Sequence, residues 1–345
     1  MKQITVLIVD DSFFMRKVIG DFLRLDPDIT VVGEAANGQE ALEKIAELAP
    51  QVVTLDIEMP GMNGVETLRA IVAAPRHPSV VMVSGYVEKG GALTLQCLAL
   101  GAADFVLKPS GSFSLDMEKV HDLLVQKVKI AAAADTTKIK NVVTHQHHTH
   151  QMRYADSSGI VVVGASTGGP AALEILLPAF PDNFPYSVVV AQHLPQTFTA
   201  SFVGRLQERC SLHVTRAEPD TALRSGTIYI AAGGTTTTIG TKNDQPTLFV
   251  EPNDQDIETP SVNKLMTSAA EAYQNHTIGI ILTGMGKDGV EGMTRIKQLG
   301  GKTIVQDEAT SVIFGMGREV VTAGVADNTV PLGLIAKTVI EGLAV

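Results

Sequence analysis

Only two cysteines, Cys97 and Cys210, and no tryptophan occur in the 345 residues. Two thiols cannot build a disulfide framework, which points to a reducing, cytoplasmic setting. Long apolar runs are also missing. Stretches such as ITVLIV and GIVVVGA stay under ten residues, too short to span a bilayer. The opening MKQITVLIVDDS carries too short an apolar core for a signal peptide, and two aspartates follow at once. Basic residues are outnumbered, 27 against 37 acidic, for a net charge of −10. A phosphate backbone is repelled by such a surface, and no helix-turn-helix-like segment stands out, so nucleic acid is not an expected partner. No repeat of short fixed period is present, which excludes solenoids and propellers.

What remains is a globular chain, 45% hydrophobic and 19% charged, long enough for two domains. From residue 4 to about 129, apolar runs (ITVLIVD, TVVGEA, VVTLD, SVVMVS, DFVLK) alternate with helical patterns such as QEALEKIAELA and GGALTLQCLAL. Strands apolar on both faces, each followed by a helix, predict a parallel sheet covered by helices. Residues 130–157 lose that period and are rich in Thr, His and Gln, as a linker would be. His145, His147, His148 and His150 lie in it; no acidic or cysteine partner at ligand spacing accompanies them, and a solvated linker is expected rather than a metal site. From residue 158 to 345 a second α/β pattern begins with GIVVVGA, SVVVAQH, TIGIILTG and KTIVQDE. Within it, residues 211–260 read as a β-rich insertion with antiparallel character. The expected architecture is α/β, two doubly wound parallel-sheet domains joined by the linker.

In the first domain Asp10 and Asp11 end one strand, Asp56 another, Ser84 a fourth and Lys108 a fifth. In a parallel sheet these positions share the carboxyl edge, where a doubly wound fold opens its crevice. Three crowded carboxylates repel unless a cation joins them, and an oxygen-only set suits Mg²⁺. A carboxylate nucleophile beside Mg²⁺, a lysine and a hydroxyl is equipment for accepting a phosphoryl group.

In the second domain GASTGG places Ser166 on a glycine-rich turn between a strand and a helix that starts near Pro170. A helix N-terminus beside it favours developing negative charge. His193 ends the next strand, 27 residues on, and Asp288 follows a further strand at a glycine-rich turn. All three side chains are expected at one sheet edge, with Ser166 as nucleophile, His193 as base and Asp288 orienting the imidazole. Backbone N–H groups of Thr167 and Met285 are the candidates for an oxyanion hole. The chain order Ser, His, Asp differs from the Ser, Asp, His order of ordinary α/β-hydrolases. Gly284 to Gly289 also spells G-x-G-x-x-G with Asp307 further on, formally a dinucleotide fingerprint. That reading puts the Asp288 carboxylate against a pyrophosphate and leaves Ser166 and His193 unexplained.

These motifs carry a resemblance. IVDDS, LDIEMPGMNG around Asp56, Ser84 and FVLKP resemble a response-regulator receiver domain, which implies a flavodoxin-like fold. It also implies Asp56 as phosphoacceptor, Asp10, Asp11 and Asp56 arranging Mg²⁺, and Ser84, Phe105 and Lys108 as the residues that read the phosphoryl group. GASTGGP, VVAQHLP, ILTGMGKDG and QDEATSVIFGM resemble the catalytic domain of the chemotaxis protein-glutamate methylesterases, a Rossmann-like serine esterase. The resemblance implies demethylation of chemoreceptor glutamates, deamidation of particular glutamines, no cofactor for ester hydrolysis, and a chemotaxis histidine kinase as phosphodonor. Contact with membrane receptors would be peripheral. An esterase or amidase for another substrate, or a receptor-binding scaffold, are the alternatives. Two segments depart from the family pattern: IYIAAGGTTTT, and IETPSVNKLM with Glu258, Thr259 and Asn263. Both are expected to line the crevice and to bear on the substrate rather than the chemistry.

Overall fold

The computed structural model describes residues 3–85, 88–108, 116–140, 142, 159–253 and 259–343. They fall into two compact units, Met1–Thr137 and Lys138–Val345. Among the described residues no helix is long and apolar enough to cross a membrane.

The first unit runs β1 (Ile4–Val9), α1 (Phe13–Arg24), β2 (Ile29–Ala35), α2 (Gly38–Leu48), β3 (Val52–Asp56) and α3 (Gly64–Ala73). It continues through β4 (Ser79–Ser84), α4 (Glu88–Leu100), β5 (Asp104–Leu107) and α5 (Asp116–Ala133). The strands pair in the order β2-β1-β3-β4-β5, all parallel, the flavodoxin-like winding. Val6, Leu7, Ile8 and Val9 are all buried, as a strand covered on both faces requires. Side chains start the helices where the sequence provides them. Ser12 accepts from the Met15 N–H and Asn37 from the Glu40 N–H, while Asn63 and Glu66 form a reciprocal capping box. The helical pattern outlasts the residue at which the linker was expected to begin: α5 reaches Ala133 because Ile130 and Ala131 are buried in the core. A further short helix, α6 (Thr137–Lys140), follows. The linker histidines lie outside the described residues.

The second unit opens with β6 (Ile160–Ala165), α7 (Gly169–Leu176), β7 (Ser187–Gln192) and α8 (Gln196–Gln207). Next come β8 (His213–Arg216), β9 (Thr221–Ala222), β10 (Thr227–Ile230), β11 (Thr235–Lys242), β12 (Gln245–Pro252) and α9 (Val262–Tyr273). It closes with β13 (Thr277–Ile281), α10 (Val290–Gln298), β14 (Lys302–Gln306), α11 (Met316–Thr322), β15 (Asn328–Val330) and α12 (Leu332–Glu341). Seven strands pair in the order β15-β14-β13-β6-β7-β10-β8, again all parallel. The segment 211–260 is thus only partly antiparallel. β8 and β10 join the central sheet, and β9, β11 and β12 make a separate antiparallel one. Asn243 and Asp244, at φ of 50° and 57°, form the tight turn between β11 and β12.

Every residue of β6 is buried. This strand lies mid-sheet, with β7 on one side and β13 on the other, so the winding changes direction beside it. A crevice at the strands' carboxyl ends follows from that reversal.

Candidate active site

Ser166 is the first residue beyond β6. Its N–H donates to the Thr283 carbonyl (3.1 Å), and its own carbonyl accepts from Gly169 N–H (2.8 Å). Between them Gly168 takes φ of 77°, a conformation glycine adopts without strain, and the chain turns sharply into α7. His193 follows β7 directly. Its Nδ1 is 3.2 Å from Ser166 Oγ, and its Nε2 is 3.0 Å from Asp288 Oδ2. Both members of the His193–Asp288 pair are nearly enclosed, with side-chain exposures of 12% and 11%.

Asp288 is held from a second direction. Its Oδ2 accepts from Val262 N–H and its Oδ1 from Asn263 N–H, both at 2.8 Å, in the first turn of α9. Burial pushes this carboxyl up, but the hydrogen bonds from His193, Val262 and Asn263 outweigh it and hold the group below its ordinary value. An ionised Asp288 accepts a hydrogen bond from the Nε2–H, which leaves the Nδ1 lone pair facing the Ser166 hydroxyl. The two ring nitrogens therefore exchange the roles they have in the chymotrypsin arrangement.

The structure brings together the three residues singled out as nucleophile, base and orienter. Thr167 is buried, and its carbonyl accepts from Thr283 Oγ1 (3.0 Å). Met285 is half exposed beside the turn. The dinucleotide reading has no support in this geometry. Asp288 is committed to His193 and α9, and the Asp307 Oδ1 accepts from Thr310 N–H and hydroxyl, closing its own turn.

In the first unit Asp10, Asp11 and Asp56 offer carboxylate oxygens within 4.8 Å of one another. Asp10 and Asp56 are buried and Asp11 is exposed. Lys108 Nζ bridges Asp10 Oδ2 and Asp56 Oδ2, at 2.8 Å from each. Asp56 Oδ1 accepts from Ile57 N–H (2.7 Å). Burial above all, with the Asp10 charge adding to it, raises the Asp56 carboxyl above its ordinary value despite Lys108. The donor set is oxygen only, and the crowded charge is only partly compensated by one ammonium, so the residues present fit a hard divalent cation such as Mg²⁺. Phe105 lies on β5 at 8% exposure, turned into the unit. Ser84 closes β4, paired in register with Leu107; its side chain lies outside the described residues.

Comparison with known proteins fits both units. Residues 161–339 match the family model described as CheB methylesterase, and residues 6–118 match the response regulator receiver domain. The chain belongs to the CheB methylesterase family. A protein-glutamate methylesterase/protein-glutamine glutaminase of Thermotoga maritima is 42% identical over 344 residues, spanning 99% of this chain and 98% of the relative. The Bacillus licheniformis protein of the same name is 40% identical, covering 98% of each chain. The crystal structure of the Thermotoga maritima CheB methylesterase catalytic domain superposes with a TM-score of 0.52 at 40% identity. It covers 54% of this chain and 98% of that one.

Within this CheB-family unit, sequence reasoning missed what holds the three side chains. The Asn263 Oδ1 accepts from Gly289 N–H (2.8 Å) and Gly292 N–H (3.0 Å), capping α10 just after Asp288. Expected to line the crevice, Asn263 instead secures the Asp288 loop through both its backbone and its amide. Thr259 Oγ1 accepts from Gly234 N–H (2.8 Å), tying the two departing segments together. Glu258 lies outside the described residues. No local signal names Asn263, because the amides it accepts from, those of Gly289 and Gly292, belong to another element.

Proposed function

We propose that this chain is a phosphorylation-regulated protein-glutamate methylesterase, with protein-glutamine deamidase activity, acting on chemoreceptors. The observation that carries the reading is His193, held between Ser166 and Asp288, in a chain whose full-length relatives are named for that activity. The first unit, through the end of α5 at Ala133, acts as receiver and residues 158–345 as the catalytic domain, with linker between them.

Catalysis by this arrangement runs through an acyl-enzyme. His193 Nδ1 takes the hydroxyl proton as Ser166 Oγ forms a bond to the ester carbonyl carbon. The carbonyl oxygen gains charge beside the backbone amides of Thr167 and Met285. As the tetrahedral species collapses, the bond to methoxide breaks and the proton on Nδ1 passes to it, releasing methanol. Water then adds to the glutamyl ester of Ser166 by the same route in reverse, with His193 again as base. With a glutamine the first leaving group is ammonia. Asp288 keeps its charge throughout and stabilises the imidazolium.

In the receiver, Asp56 is the phosphoacceptor, and Asp10, Asp11 and Asp56 would hold Mg²⁺. When bound, the ion supplies positive charge against the phosphoryl oxygens. Lys108 pairs with the new dianion, and Ser84 and Phe105 couple it to the surrounding surface. The phosphodonor is a chemotaxis histidine kinase, and the protein works in the cytoplasm in peripheral contact with membrane receptors. Methanol release from methylated receptor membranes tests the reading. The native chain should release it, and Ser166→Ala should release none while keeping its circular dichroism spectrum. Turnover by Ser166→Ala close to native would end this mechanism.

A further inference from the structure

One buried side chain bonds to the backbones of both Ser166 and His193. Gln192 is the last residue of β7 and only 2% exposed. Its Nε2 donates to the Ser166 carbonyl (3.0 Å) and to the His193 carbonyl (3.1 Å). A primary amide has two N–H groups, and both are used. The neighbours also fix which end of the amide is nitrogen, because an oxygen there would face two carbonyls.

The other end of the amide is equally informative. Among the described residues Oε1 has no hydrogen-bond partner although it is buried. It occupies the place where a Cβ on residue 169 would stand, 1.9 Å from it. Glycine at 169 thus makes room for this amide, at the first residue of α7. A buried acceptor left unpaired is costly, so the two bonds of Nε2 are made at the expense of stability.

The ladder between β6 and β7 explains what those bonds do. Pairing runs to Ala165 and Gln192, and His193 N–H makes one more bond to the Ala165 carbonyl (3.1 Å). Past that point the two chains diverge into separate turns. The Gln192 amide supplies one further rung, from a side chain, at the very residues whose side chains must meet at 3.2 Å.

We propose that Gln192 is a positioning residue for ester hydrolysis, fixing the spacing between the Ser166 and His193 backbones. The inference rests on the Ser166–His193–Asp288 reading of the site. Its test compares Gln192→Met, which keeps length and loses both donors, and Gln192→Glu, which keeps shape and sets a carboxylate against two carbonyls. Both are made in the full-length chain and assayed on methylated receptor membranes below the midpoint of their thermal transitions. A shift near 1 Å in reacting groups costs on the order of 100-fold, so kcat should fall about 10- to 100-fold. KM should stay within about twofold, because no substrate contact is lost. Labelling of Ser166 by a fluorophosphonate should slow by the same factor as kcat. If the Met variant fails to fold, the Glu variant carries the measurement. A folded variant with kcat within about threefold of native, or with unchanged labelling, overturns the proposal. A purely structural role would lower the melting temperature and leave kcat per folded molecule alone. Ser166→Ala separates the two levels: activity in that variant overturns the site itself, whereas its inactivity beside a fully active Gln192→Met overturns only the role of Gln192.

Discussion

Replacing Asp288 by asparagine turns the imidazole arrangement into a number. The carboxylate accepts three hydrogen bonds, two on Oδ2 from His193 and Val262 and one on Oδ1 from Asn263. An asparagine amide can sit in two ways. With its nitrogen at the Oδ2 position, it opposes the Val262 N–H and donates to His193 Nε2. The imidazole proton then moves to Nδ1, and the lone pair facing Ser166 is gone; loss of the base by a wrong tautomer costs about 10⁴ in chymotrypsin-like enzymes. With its nitrogen at the Oδ1 position, it opposes the Asn263 N–H but leaves the tautomer correct. That orientation replaces a charge-assisted bond by a neutral one, about 1–1.5 kcal/mol or roughly tenfold in rate. It also leaves a buried amide N–H without an acceptor, about 1–3 kcal/mol worse, so the inactive orientation predominates by roughly 5- to 150-fold. The residual activity is the product of both factors. The kcat of Asp288→Asn should therefore fall about 50- to 1,500-fold, less than in the chymotrypsin case, with its circular dichroism spectrum retained. Methanol release at saturating receptor membranes measures it. A loss smaller than about tenfold would refute the reasoning, since even the better orientation cannot do that well.

Other expectations concern the receiver and its influence. A small-molecule phosphodonor with Mg²⁺ should activate the full-length chain, and Asp56→Asn should abolish that response in the same methanol assay. A fragment beginning at residue 158 should outpace the unphosphorylated full-length chain; a tenfold difference needs only about 1.4 kcal/mol between two arrangements, and a lower rate would assign the receiver a targeting or activating role. Asp56 also bears on stability. Its folded carboxyl is raised, chiefly by burial, so the stabilisation of its neutral form is full below the unfolded value and lost as pH rises through the folded one. Asp56→Asn should accordingly raise the receiver's denaturation midpoint at pH 7, with the gain vanishing below about pH 4; an equal gain at both pH values would contradict this origin.

Strand and helix alternation was legible because both sheets are parallel and buried on two faces, which writes VLIV, VVTL and IVVVGA as unbroken apolar runs. The sites were legible for a related reason. In such a sheet the functional side chains gather at the carboxyl ends of strands, so Asp56, Ser166 and His193 could be read from where the apolar runs give out. β8 and β10 were harder to place in the central sheet, since HVTR and TIYI are four residues each and lie among threonine-rich hairpin sequence. Short runs carry too few positions to distinguish a buried parallel strand from an antiparallel one. Gln192 and Asn263 escaped because their roles depend on what neighbouring strands and helices bring to them. A glutamine at a strand end has no local signature that names two carbonyls in different turns as its partners.

The attachment of Asp288 to the first turn of α9 makes catalytic competence and local folding a single event. The amides of Val262 and Asn263 exchange with solvent only when they leave the carboxylate, and Asp288 is then held by its bond to His193 without the support of α9. Helix ends open more readily than cores. The protection of these two amides therefore reports the fraction of molecules in which Asp288 is anchored to α9, without any substrate present. A substitution that loosens the first turn of α9 should therefore lower methanol release without touching the crevice, and one that stiffens the turn should not.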